Sequence, residues 1–236
     1  MTAFGRVSFS ALIFILFSLN TANADEIKKE KRQIADFTKI VISGAGHLFL
    51  KQGENVALTI ETERTFLPEL KSEVIDQVLY LGLKEPKTFV SQSNPPINYY
   101  LTLTNIEDIH TEGSIEISSK GTISAKELNL VTAGAGIINL KIKTDSLKTQ
   151  VEGNSNIALS GTATTQTLKI EGTGKIQGKK LLTKTTHVNI KGAGIAEVNA
   201  SETLAVKIEG VGTVKYYGEP KITQEISGAG EIIPLE

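Results

Sequence analysis

The sequence predicts an all-β chain wound as a right-handed parallel β-helix, a solenoid of ~18–21-residue coils with Gly-x-Gly corners. Three observations predict it. Glycine-centred units recur from Gly134, with first glycines at Gly134, Gly153, Gly172, Gly192, Gly210 and Gly228 and intervals of 19, 19, 20, 18 and 18 residues. The residues around them alternate apolar and polar with period two, the signature of strands. They are rich in isoleucine and valine and broken by glycine, which suits short strands and disfavours helices. The right hand follows from the crossover rule for parallel strands.

The first segment is a signal peptide, residues 1–24. Arg6 precedes the apolar run Ala11–Phe17, and Ala22-Asn23-Ala24 supplies a cleavage site. That run is too short for a spanning helix, which needs about 20 apolar residues. A charged leader, residues 25–35, follows. It contains Lys28-Lys29-Glu30-Lys31-Arg32, read as a solvated run, with contact to anionic lipid as the alternative.

One domain then fills residues 36–236, less regular over 36–110 and regularly coiled over 111–236. An early copy of the motif, Ile42-Ser-Gly-Ala-Gly-His-Leu, opens it. Val56–Glu61 and Val78–Leu83 alternate as strands, and Leu67–Val74 is expected to form one short helical turn. Ser91–Pro96 has the composition of a loop, and Ile97–Leu103 resumes β patterning. Gly113-Ser-Ile-Glu-Ile looks like a degraded copy.

Counting from the first glycine as zero assigns the faces. Position −2 holds Ile42, Val151, Ile170, Ile190, Ile208 and Ile226, and position +4 holds Leu48, Ile138, Ile157, Ile176, Val214 and Ile232. These even positions are expected to point into the core. The odd position −1, with Glu152, Glu171, Lys191 and Glu209, is expected to face solvent. By the same parity both glycines of each pair face inward at a pinched corner. The structural glycines are Gly44, Gly46, Gly134, Gly136, Gly172, Gly174, Gly192, Gly194, Gly210, Gly212, Gly228 and Gly230. A single coil cannot bury its apolar face, so stability must come from stacking.

Composition narrows the function. The 236 residues carry 25 basic and 26 acidic side chains, a net charge of −1 that argues against a nucleic-acid binder. The absence of cysteine excludes disulfides, thiolate metal sites and a lipidated cysteine.

The ordered combination Asp36-Phe37-Thr-Lys-Ile-Val-Ile-Ser-Gly-Ala-Gly, serial Gly-x-Gly coils, Lys215-Tyr-Tyr-Gly-Glu-Pro220 and a final Ile226-Ser-Gly-Ala-Gly resembles the bacterial head GIN domain family, the DUF2807 group described as putative auto-transporter adhesins. The resemblance spans nearly all of the chain after the signal peptide. It implies an exported β-helical protein. Only Glu-Ile-Ile-Pro-Leu-Glu follows Gly230, so no membrane barrel of the autotransporter kind is expected.

Chemical constellations are few. Gly-x-Gly here opens a strand where a dinucleotide loop needs a third glycine and a helix. Calcium-binding β-rolls need an aspartate in each turn, and none occurs after Asp145. His47, His110 and His187 lack ligand spacing. No cofactor and no metal are therefore expected. Glu152 and Glu171, one coil apart, would have backbones ~4.8 Å apart, close to the carboxyl separation of a retaining glycosidase. Lys191 and Glu209 continue that column as a mixed-charge surface row, which favours a structural reading. Position +1 forms a second outward column of small side chains, Ala135, Asn154, Thr173, Ala193, Val211 and Ala229. Tight packing explains its small residues, and as a candidate interaction column it would offer a flat face to a glycan or protein.

The expectation is an exported envelope or surface protein, periplasmic or extracellular, acting as a non-enzymatic adhesin-like scaffold. Its expected partners are an envelope component, a glycan or protein, or a second copy of the chain. The alternative is a carbohydrate-active enzyme using Glu152 and Glu171.

Overall fold

The computed structural model describes residues 26–85 and 95–236. The signal segment 1–24 and Ser91–Asn94 of the expected loop fall outside the described residues. The chain is an all-β solenoid of about seven turns with coils of about 19 residues. Its strands are β1 (Ile27–Arg32), β2 (Lys39–Gln52), β3 (Ala57–Glu63), β4 (Leu70–Ile75), β5 (Val78–Leu83), β6 (Asn98–Leu103), β7 (Asp108–Ser124), β8 (Glu127–Gly134), β9 (Ile137–Gly153), β10 (Asn156–Gly172), β11 (Lys175–Gly192), β12 (Ile195–Gly210), β13 (Thr213–Tyr217), β14 (Lys221–Gly228) and β15 (Glu231–Pro234).

Parallel pairing in equivalent register stacks the coils. Glycine lies on glycine, as Gly44 on Gly113, Gly113 on Gly134 and onward to Gly228. Gly113, which looked degraded in sequence, thus heads a full coil. Inside, Ile170, Ile190 and Ile208 form one column and Leu168, Val188 and Val206 another, all at most 3% exposed. Each such side chain contributes about 1.5–3 kcal/mol on burial, before the entropy of ordering the chain is set against it.

The two glycines of the motif have different roles, which corrects the expectation that both face inward. The first has a left-handed φ, +118° at Gly134 and +121° at Gly192, and is exposed at both. A Cβ there would point along the stack and meet the carbonyl oxygen of the preceding coil's glycine at 2.5–2.7 Å for Gly134, Gly153, Gly172, Gly192 and Gly210. Close approach of backbones, and not a packed core, demands this glycine. The second glycine is buried at Gly136, Gly174, Gly194 and Gly212 and half-buried at Gly46 and Gly230. A Cβ on Gly174, Gly194, Gly212 or Gly230 would lie 2.6–2.8 Å from Val151, Ile170, Ile190 or Ile208 of the coil below. The −2 isoleucine of each coil therefore occupies the space that the next coil's glycine leaves. In the coil where Ser155 replaces the second glycine, its buried hydroxyl accepts the Gly136 N–H at 3.1 Å.

The irregular N-terminal part closes one end. β2 pairs along its length with β7, and on its other side with β5 over its first half and β6 over its second. β4 then runs antiparallel to β5, and β3 antiparallel to β6. The expected helical turn is reduced to a 3-10 segment, Leu67–Glu69, because Leu70 already starts β4. The charged run assigned to a leader is more than that: β1 adds antiparallel to β3. Its Lys29–Glu61 contact of 3.4 Å and the bond from Arg32 Nη2 to the Leu67 carbonyl at 2.8 Å hold it there. The lysines also make it a poor template for further strand addition.

Candidate functional site

Outward columns and the grooves beside them are what the fold offers a partner. At position −1, Glu171 pairs in register with Glu152 on one side and Lys191 on the other, followed by Glu209. The two carboxylates do not act on one another in a closed site. Glu152 is exposed and accepts a hydrogen bond from Gln150 Nε2 at 2.5 Å. Glu171 is half-buried and bonded to Lys169 at 2.9 Å, which holds its carboxyl below the usual carboxylate range. A general acid at neutral pH needs the opposite shift, produced by desolvation. Lys207, bonded to Glu225 at 3.0 Å and Glu209 at 3.3 Å, continues the same solvated charge network.

Position +1 is an exposed column of Ala135, Asn154, Thr173, Ala193, Val211 and Ala229. Each residue donates its backbone N–H to the preceding coil's first glycine at 2.8–3.0 Å, so the stacking itself holds the column straight. Val211, 65% exposed, is its largest apolar member, and Ile137 and Ile195 stand beside it on the same face.

The three histidines fall in three separate outward columns. His47 stacks on Phe49 with 4.0 Å between ring centroids, and Phe49 on Tyr100 with 4.9 Å. Lys29 covers the outer face of Tyr100 and Glu116 lies 3.6 Å from His47 Nε2. Phe49 is stacked by a ring on each side and Lys29 lies over Tyr100, which reduces the stacking surface that a sugar would use. Tyr100 donates its hydroxyl to Glu61 at 2.5 Å, which lowers the carboxyl and raises the phenol from their ordinary values. His110 sits 3.2 Å from Glu112, and His187 is exposed one coil from Thr167 and Ala205.

Sequence reasoning missed the groove. Ser124, Lys143, Thr162, Leu182 and Asn199 align on five successive coils, making one wall about 19 Å long. Beneath them Thr144, Ala163 and Thr183 form a buried floor. With Lys126, Asp145, Thr164, Lys184 and Ser201 they enclose an open groove of about 800 Å³. The floor hydroxyls are anchored within the protein: Thr144 Oγ1 donates to the Lys126 carbonyl at 2.9 Å, and Thr183 bonds Thr186 at 2.7 Å and the Asn199 carbonyl at 2.8 Å. The available signal was the coil period, because Lys143, Thr162, Leu182 and Asn199 recur at nearly the spacing of the glycines. Chemically the groove presents hydroxyls, ammonium groups and the Asn199 amide in an axial row interrupted by the exposed Leu182, suited to hydrogen bonding along an extended chain.

Residues 36–220 match the model of the DUF2807 family, described as "Putative auto-transporter adhesin, head GIN domain". Among solved structures, a putative adhesin from Bacteroides fragilis NCTC 9343 is similar with TM-score 0.81 and 21% identity, covering 90% of this chain and 98% of that one. A putative lipid binding protein from Parabacteroides distasonis ATCC 8503 has TM-score 0.73 and 21% identity, covering 91% and 98%. A putative adhesin from Parabacteroides merdae ATCC 43184 has TM-score 0.68 and 19% identity, covering 90% and 98%. At these identities the likeness is one of fold. No curated protein matches the chain.

Proposed function

The chain belongs to the DUF2807 head GIN domain family, and on that premise we propose that it is an exported, non-enzymatic binding scaffold of the envelope or cell surface. The axial groove carries this reading. It lines up Ser124, Lys143, Thr162, Leu182 and Asn199 at coil spacing over five coils, so an extended glycan or peptide segment can be held at several points along it. Weak contacts summed along such a row suit adhesion better than chemistry, which needs convergent groups in a dry site. The carboxylates Glu152 and Glu171 stand on a solvated column away from this groove, each already engaged by a neighbour on its own strand. Export rests on the basic, apolar and Ala-x-Ala segments at residues 1–24.

Cell fractionation followed by use of the purified chain as bait tests the proposal. The chain is expected outside the cytoplasm, beginning at Asp25, and it should retain envelope glycan or protein. Recovery in the cytoplasm with Met1 intact, or a bait that retains no envelope material, contradicts it.

A further inference from the structure

The two ends of the solenoid differ in how they are finished. At the N-terminal end, antiparallel ribbons cover the core: β4 is outermost on the wall that ends in β14, and β1, with Lys28, Lys29, Lys31 and Arg32, is outermost on the wall that ends in β15. At the other end β14 pairs only with β12 and β15 only with β13 among the described residues, whereas β10 and β11 each have a strand on both sides. All eight residues of β14 are exposed. Two of them are core side chains by position. Ile222 continues the column of Leu204, and Ile226 continues that of Ile208, both 0% exposed, yet Ile222 and Ile226 are 38% and 39% exposed. Repeat arrays ordinarily end in a polar cap, and a strand with a free edge is a template for strand addition.

We infer that β14 is the interface of a two-fold dimer of this chain, two solenoids meeting through their C-terminal coils with β14 antiparallel to its copy. The spacing within the strand selects the geometry. Ile222 and Ile226 lie two residues on either side of Gln224 and share its face. Antiparallel pairing centred on Gln224 places Ile222 opposite Ile226 of the second copy, twice over, and Gln224 opposite Gln224. On the outer face the same register sets Thr223 against Glu225 and Lys221 against Ser227. A register centred on Thr223 would pair Lys221 with Glu225 but set Ile222 against Gln224 and Ile226 against Pro220, outside the strand. An isologous contact closes with two chains. Head-to-tail stacking in coil register would instead bring β14 against β4, the outermost strand of the same wall, and would leave Gln224 without its own copy opposite. The pair would present two grooves, giving a repetitive partner two points of attachment. This dimer does not depend on the groove being the binding face.

The chain has no cysteine, so a single introduced thiol reports the register directly. Facing residues of an antiparallel pair have Cα atoms about 4.5–5.5 Å apart, within disulfide range. Under mild oxidation Gln224→Cys should link to itself. A mixture of Ile222→Cys and Ile226→Cys chains should link to one another in preference to either alone. In sedimentation velocity the chain should be dimeric, and Ile226→Lys should weaken the dimer at least about tenfold. Its melting transition reports whether that variant still folds, and the Gln224→Cys result decides if it does not. A monomer from micromolar to submillimolar concentration, a dimer unaffected by Ile226→Lys in a folded chain, or a thiol at Gln224 that links no faster than one at exposed Thr164 would overturn the inference.

Discussion

Gly194→Val is expected to cost about 3 kcal/mol or more, while Ala193→Val one residue earlier changes stability by about 0.5 kcal/mol or less. The buried Gly194 has no room for a side chain, since even a Cβ would lie 2.6 Å from Ile170 Cγ2. Valine must therefore displace the isoleucine column or part the coils. Ala193 is exposed in the +1 column and can enlarge into solvent. For a chain of this size the difference corresponds to a gap of about 6–12 °C in melting temperature. Thermal unfolding of the two variants checks it, and equal losses would mean that the inward and outward assignments around the glycines are wrong.

Ile170→Ala should cost about 2–5 kcal/mol, because the side chain is fully buried between equivalent residues of adjacent coils. Its pairing with Gly194 makes a sharper statement. Removing Cγ2 of Ile170 opens the space that a Cβ at Gly194 would need, so Gly194→Ala should be better tolerated in the Ile170→Ala background. Denaturant unfolding of both single variants and the double should show a loss smaller than the sum by about 1 kcal/mol or more. Additive losses would show that isoleucine and glycine do not share one space.

The isoleucine columns at −2 and +4 were legible because period-two alternation survives through every coil, as did the stacking of Gly134 on Gly153 and Gly172. The role of the first glycine was not. Parity treats the chain as an unbroken strand, but the left-handed φ at Gly192 and its equivalents turns that position along the stack axis, a feature of backbone that side-chain pattern does not encode. β1 was hidden for a related reason: its charged side chains read as solvated, and they are, but its backbone groups pair with β3. Coil spacing placed Glu152 and Glu171 correctly in adjacent coils. It could not show that Gln150 and Lys169, each two residues earlier on the same strand, engage them. The groove escaped because Thr162 and Thr164 are unremarkable in isolation, and only register with Lys143 and Leu182 makes a wall of them.

The most direct test of the scaffold reading is size-exclusion chromatography of the chain mixed with envelope polysaccharide, recording both co-elution and the length of the recovered glycan. Glycan is expected to co-elute with the chain at unchanged length, and the Glu152→Gln and Glu171→Gln chains to behave as the parent does. Shortened glycan, with the shortening lost in either glutamine variant, would contradict it and make the pair an acid and a nucleophile.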